Sequence, residues 1–330
     1  MAYTTINKST DHFFTKLWSG TNAGETISGI PFQPDLNWTK QRTGTQDHVL
    51  VDAVRGSTKI LNSNDNSADD TVSGGVTAFD SDGFSVGSES VTNNRSENYV
   101  AWCWKETADA GFDIVSYTGN GTDDTDISHS LSAVPHFFMV KKRSDTSNWN
   151  CYHQKSNSSP EDGSLQLDET GAFYDDATQW SDEPPTSSVF TLGNSAQVNA
   201  NTATFLAYLW SEKQGFSKMG QYTGNGNADG VFTFTGFKPA WIMFKRLATN
   251  DWFIVDNKIH NFNKAEAASK MLRPNLNNAE QANNTVDLLS NGFKIRVNSD
   301  GVNDNASTYV YAAFAEAPFV NSKGVPTNAR

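Results

Sequence analysis

Three glutamates close three similar stretches of this sequence. Glu106 ends Tyr99-Val-Ala-Trp-Cys-Trp-Lys-Glu106, Glu212 ends Phe205-Leu-Ala-Tyr-Leu-Trp-Ser-Glu212, and Glu316 ends Tyr309-Val-Tyr-Ala-Ala-Phe-Ala-Glu316. Upstream of each lies a basic set: Lys40/Arg42, Lys141/Lys142/Arg143 and Lys245/Arg246. A carboxylate beside a cation could act on a substrate as acid or base, or could close a strand end as an ion pair. Three copies of one acid without a recurring catalytic partner have no mechanistic use, so structural ion pairs are expected. A second recurring position holds Asp52, His153 and Asp256. It stays polar but changes chemistry, which a proton-transferring group could not tolerate, so a polar strand end is the reading.

The specific enzyme signatures are missing. His12, His48, His129, His136, His153 and His260 have no His-x-Glu, His-Glu-x-x-His or cysteine partner at zinc-ligand spacing. No Gly-x-Ser-x-Gly elbow, P-loop or dinucleotide fingerprint occurs, and neither catalysis nor a cofactor is expected. The acidic runs Asp123-Asp124-Thr-Asp126 and Asp80-Ser-Asp82 offer oxygens but not the spacing of a calcium loop, so they read as solvated turns. Trp149 and Trp252 stand where an earlier segment carries His48. Aromatics that start a strand are usually core, yet they could also stack on sugars. With the turn residues Asn120 and Asn225 they make the candidate glycan contacts.

Net charge sharpens the exclusions. The 330 residues carry 25 Lys and Arg against 37 Asp and Glu, a net charge of -12, which disfavours nucleic acid and anionic membranes as partners. The hydrophobic fraction of 37%, with 12% aromatic, is enough for packed cores. Cys103 and Cys151 fall at non-equivalent places, so two buried free thiols are expected. Met1 is followed by a polar stretch, and no run of about 18 apolar residues appears, so neither signal peptide nor membrane span is expected and the chain should stay soluble in a cytoplasm.

The elements that must position these residues repeat with a period of roughly 100 residues. Pro34, Pro135 and Pro239 each precede an apolar run ending in Lys40, Lys141 and Lys245. Earlier in each segment an apolar stretch enters a Gly/Asn turn at Trp18 to Gly24, Tyr117 to Gly121 and Tyr222 to Gly226, a hairpin signal. Further strands read at His48 to Asp52, Trp149 to His153 and Trp252 to Asp256, and around Phe84, Phe190 and Phe293. The short runs rich in Phe, Trp, Tyr, Val and Ile predict an all-β chain of three tandem β-sandwich repeats, jelly-roll or lectin-like. The boundaries are 1–12 for an N-terminal arm, 13–107, 108–213 and 214–319 for the repeats, and 320–330 for a C-terminal arm. Trp104, Trp210 and Phe314 should point inward at one equivalent place. The only stretch of good helix formers is Lys264 to Leu272, in a variable loop. The linkers at Thr107 to Gly111 and Lys213 to Gly215 are short enough that neighbouring units must pack.

The closing strands, the Tyr-Thr-Gly-Asn-Gly turns and the opening Met-Ala-Tyr-Thr-Thr-Ile resemble a β-rich repeat of virion structural and tail-fibre proteins of marine tailed bacteriophages, cyanophages especially. That resemblance spans Phe13 to Phe319 and carries no catalytic residue. It implies a non-enzymatic virion protein, assembled in the host cytoplasm, in a tail-fibre or tail-tip adhesin or capsid-decoration role. Its implied partners are other virion proteins and a host surface glycan, and a homo-oligomer, a trimer above others, is expected. A stand-alone carbohydrate-binding lectin and a capsule depolymerase using an Asp/Glu pair are the competing readings.

Overall fold

The computed structural model describes residues 4–259, 270–282, 285–321 and 323–326. The chain is all-β, and its strands pair antiparallel in several sheets. The first large sheet runs in the order Phe13–Ser19, Asn98–Trp104, Leu36–Gln41, Val49–Asp52, Lys59–Asn62 and Asp70–Thr71. A second runs Phe112–Thr118, Thr204–Trp210, Phe137–Lys142, Asn150–His153, Gly163–Gln166 and Tyr174–Asp175. The third runs Ser217–Thr223, Thr308–Pro318, Phe237–Arg246 and Trp252–Asp256. In all three, the last strand of the segment inserts between its first and third. Each large sheet has a small companion, in which Glu25–Ser28 pairs with Gly83–Val86, Thr125–Ser128 with Val189–Leu192, and Phe232–Phe234 with Gly292–Ile295.

The closing strands are buried on both faces, which explains why they read as nearly continuous apolar runs. Their period-two alternation divides them between two cores. Ala101 and Cys103 face Ile27, Phe84 and Val86 of the small sheet, while Val100, Trp102 and Trp104 face the opposite way. Phe205, Ala207 and Leu209 pack with Phe190 and Leu192, while Leu206, Tyr208 and Trp210 turn away from them. The residues that turn away enter one common core with the third sheet. There Trp104, Trp210 and Phe314 meet ring to ring, with centroids 6.0 Å apart for Trp104 and Trp210, 6.5 Å for Trp210 and Phe314, and 5.5 Å for Trp104 and Phe314. The inward placement read from the sequence is thus realised as a closed triangle of aromatic rings.

Polar contacts follow the same circuit. Lys141 donates to Asn66 O at 3.0 Å and Ser147 O at 2.6 Å, and Lys245 to Thr170 O at 3.2 Å and Asn250 O at 2.7 Å. A loop of the first segment therefore straps the second, and a loop of the second straps the third. The circuit closes where Glu280 N donates to Arg42 O at 2.7 Å and Arg42 Nε to Glu280 at 2.7 Å. Asp52, His153 and Asp256 lie in the same interfaces and are buried. Tyr208 donates its hydroxyl to Asp52 at 2.7 Å, Trp102 its indole N–H to Asp256 at 3.1 Å, and His153 Nε2 bonds Tyr311 O at 3.1 Å. The chemistry of this position changes because each copy meets a different neighbour. Burial holds His153 down at about 4 and pushes Asp256 up to about 6.

Several expectations need correction. The Gly/Asn turns are not hairpins, because the strands on either side, such as Phe112–Thr118 and Thr125–Ser128, belong to different sheets. The turn is instead held by a buried asparagine in the one-turn helix before each closing strand. Asn93 donates to Gly87 O at 2.7 Å, Asn199 to Gly193 O at 2.9 Å, and Asn303 to Val297 O at 2.8 Å, and each also bonds its opening turn. Gly20, Gly119 and Gly224 are needed there, since a Cβ would come within 2.1, 2.3 and 2.2 Å of the carbonyl oxygens of Asn94, Ala200 and Asp304. The N-terminal stretch is not a free arm: Ile6 is in the common core and Thr4 and Ser9 are buried. Residues 323–326 at the other end are exposed. Of the expected helix at Lys264 to Leu272, positions 264–269 lie outside the described residues, and Lys270–Met271 forms a short ribbon with Gln281–Ala282.

Candidate functional site

Trp149 and Trp252 are buried, and their indole N–H groups bond Asn62 O at 2.7 Å and Gln166 O at 2.8 Å. They seal one segment against the one before it, and no sugar can reach their faces. Asn120 and Asn225 are exposed, but their amide oxygens organise the turns. Asn120 Oδ1 accepts from Thr122 N at 2.8 Å, and Asn225 Oδ1 from Asn227 N at 3.1 Å and Asn303 Nδ2 at 3.1 Å. The four candidate contacts therefore do not form one site.

Glu106 and Glu212 stand where one segment passes into the next, and Glu316 lies within the last strand, Thr308–Pro318. Their expected basic partners are elsewhere: Lys40, Lys141 and Lys245 are buried against backbone carbonyls. Glu212 pairs with Lys218 at 2.9 Å and Glu316 with Lys238 at 2.7 Å. Glu106 instead faces acids. Its backbone N–H donates to Asp35 at 2.7 Å, and burial together with a hydrogen bond to Asp113 raises its carboxyl to about 7.

The second of these passages opens into a cleft of about 450 Å³ lined by His136, Glu212, Gln214, Ser217, Lys218, Phe234 and Thr235. His136 sits just after Pro135, where the chain enters the strand Phe137–Lys142, and Glu212 just past the end of Thr204–Trp210. Both are thus fixed by adjacent strands of one sheet. His136 Nδ1 accepts the Glu212 backbone N–H at 2.9 Å, so the neutral ring carries its proton on Nε2 and offers a donor. Burial lowers the His136 pKa, with Glu212 opposing. The Glu212 carboxylate accepts from Gln154 at 2.9 Å, Met219 N at 2.8 Å and Lys218 at 2.9 Å, which locks its orientation. Phe234 comes from the edge strand of the third small sheet and is 61% exposed. The arrangement sets an imidazole donor, an oriented carboxylate and an exposed aromatic ring around one concavity.

Sequence reasoning missed the buried asparagines Asn93, Asn199 and Asn303, although each precedes its anchor aromatic, Tyr99, Phe205 or Tyr309, by the same interval. It also passed over Phe234, whose exposure no local pattern announces. Among the described residues no cluster of three or more His, Cys, Asp or Glu could hold a metal ion, and no helix is long and apolar enough to cross a membrane. Cys103 and Cys151 are free and buried.

No curated protein and no solved structure matches the chain. A family model does, in one continuous stretch that takes in all three large sheets. Over residues 8–318 the chain matches, and belongs to, the family described as a domain of unknown function, DUF7483.

Proposed function

We propose that the chain is three copies of one β-sandwich unit, of jelly-roll or lectin-like kind, closed around a common core, and that it serves as a non-catalytic structural protein of a tailed-bacteriophage virion. One observation carries the reading. The residues that recur, namely the closing-strand rings, the caged lysines and the buried asparagines, are consumed by internal contacts, while the segments differ in their exposed loops and clefts. A rigid body that varies only at its surface suits display and attachment. The sequence resemblance to tail-fibre and virion proteins supports the same role, with other virion proteins as partners. The test is quantitative mass spectrometry of purified particles. A fixed stoichiometry to the major capsid protein is expected, and absence from particles would refute the proposal. Copies in the hundreds would mean capsid decoration, and a handful would mean a tail position.

A further inference from the structure

The three small sheets allow an internal comparison. The strand Glu25–Ser28 places Ile27 opposite Phe84, Thr125–Ser128 places Ile127 opposite Phe190, and Phe232–Phe234 places Thr233 opposite Phe293. In the first two, the residues flanking the inward isoleucine are polar and exposed: Thr26 and Ser28, then Asp126 and Ser128. In the third the pattern is inverted. Thr233 is buried with its hydroxyl unpaired, while Phe232 and Phe234 face out, 45% and 61% exposed. The inversion is unfavourable for folding twice over, since it buries an unsatisfied hydroxyl and leaves two rings in water. A local rule broken without structural gain marks a place shaped for something else. Phe234 lies at the cleft that holds His136, Glu212, Gln214, Ser217, Lys218 and Thr235.

We propose that this cleft binds a neutral hexopyranoside, with the C–H face of the sugar on the Phe234 ring. An exposed aromatic face beside a concavity rich in amide, hydroxyl and imidazole groups is complementary to a pyranose, which is apolar on one face and polar around its rim. The His136 Nε2–H is a donor and the Gln214 amide supplies both donor and acceptor for ring hydroxyls. Glu212 is held by three donors and accepts sugar hydroxyls without moving. Lys218 and Glu212 neutralise each other in the cleft at 2.9 Å, so the lining carries no net charge and suits a neutral sugar. Binding at one cleft is weak, and several copies on a particle would multiply it.

The site stands or falls independently of the virion assignment, because it is read on the isolated full chain. Saturation-transfer NMR is run with methyl gluco-, manno- and galactopyranoside as probes and methyl glucuronide as the acidic comparison. The wild type is expected to transfer saturation to the C–H protons of at least one neutral pyranoside and not to the glucuronide. Phe234→Ser, which installs the residue found at the matching place in the first two segments, should weaken that binding by about tenfold or more while the melting temperature stays the same or rises. Gln214→Ala should weaken it with the melting temperature unchanged. No transfer from any neutral pyranoside, transfer from the glucuronide alone, or binding indifferent to Phe234→Ser would overturn the proposal. The last two outcomes place a sugar elsewhere, and loss of particle assembly in Phe234→Ser without any sugar binding by the wild type makes the surface a protein contact instead.

Discussion

Truncating Trp210 to alanine should destabilise the whole chain at once. The Trp210 ring meets Phe112 at 5.0 Å, Phe137 at 5.5 Å, Trp104 at 6.0 Å and Phe314 at 6.5 Å, so it touches rings from all three large sheets. It is 3% exposed, and its removal leaves a cavity that sheets anchored elsewhere cannot collapse. Large-to-small changes at such sites cost about 3–5 kcal/mol, a large share of a typical stability of about 5–15 kcal/mol. Guanidinium unfolding followed by circular dichroism and tryptophan fluorescence should show a single transition in the wild type and in the variant, shifted as a unit. The milder pair Trp104→Leu and Trp210→Leu then tests the shared core in a double-mutant cycle. Their ring contact predicts a coupling of about 1 kcal/mol, although the two residues belong to separate segments. Two or three separate transitions, only one of them moved by Trp210→Ala, would refute the common core, as would strict additivity in the cycle.

Four further outcomes are expected. Lys141→Ala strips the donor from Asn66 O and Ser147 O and should cost about 2–4 kcal/mol, with faster hydrogen exchange around Asn66 as the local readout. Asn199→Ala removes the bonds to Gly193 O, Thr122 O and Asn120 and should cost about 2–3 kcal/mol in thermal unfolding, against less than 0.5 kcal/mol, roughly, for the exposed Asn157→Ala. Glu106 titrates near 7 in the folded chain against an ordinary value of 4.5, so the stability it contributes is present below about pH 4.5 and is lost as pH rises through 7. Glu106→Gln should therefore gain on the wild type between pH 5 and 8, by on the order of 1 kcal/mol after solvent screening of a half-buried group, and a melting-temperature difference that does not grow with pH would contradict this. Deleting residues 1–7 removes Ile6 from the core and should lower the melting temperature by several degrees, and an unchanged melting temperature would contradict its place there.

The strands were legible because their alternation is local. Tyr99 to Trp104 and its counterparts carry both faces of a doubly buried strand in seven residues or fewer, and Pro34 and Pro135 lie two residues before the third strand of their sheets, whereas Pro239 lies inside its strand at a bulge. What joins the segments was not legible, because it depends on pairs far apart in the chain. Lys141 reads as one half of a strand-end ion pair until the loop carrying Asn66 is laid over it. Trp149 reads as core ahead of platform, but what it packs against shows only when Asn62 O is placed against its indole N–H. Ile6 is a single apolar residue in a polar stretch and has no period to detect. At the candidate site, the glutamates were visible by recurrence, but recurrence hid the more telling fact that each one has a different neighbour: Asp113, Lys218 or Lys238.

The strap from Glu280 back to Arg42 joins the third segment to the first. In an open array each unit touches only the units before and after it, so copies are gained and lost easily and the outermost ones need special caps. Here the third segment also reaches back to the first, so the contacts between segments run in a closed circuit rather than an open row. Inserting a further segment would have to prise apart the aromatic triangle, and removing the first would take Asn66 O from Lys141. Change is therefore channelled away from copy number and into the loops and clefts, where one copy can acquire Phe234 while the other two keep serine.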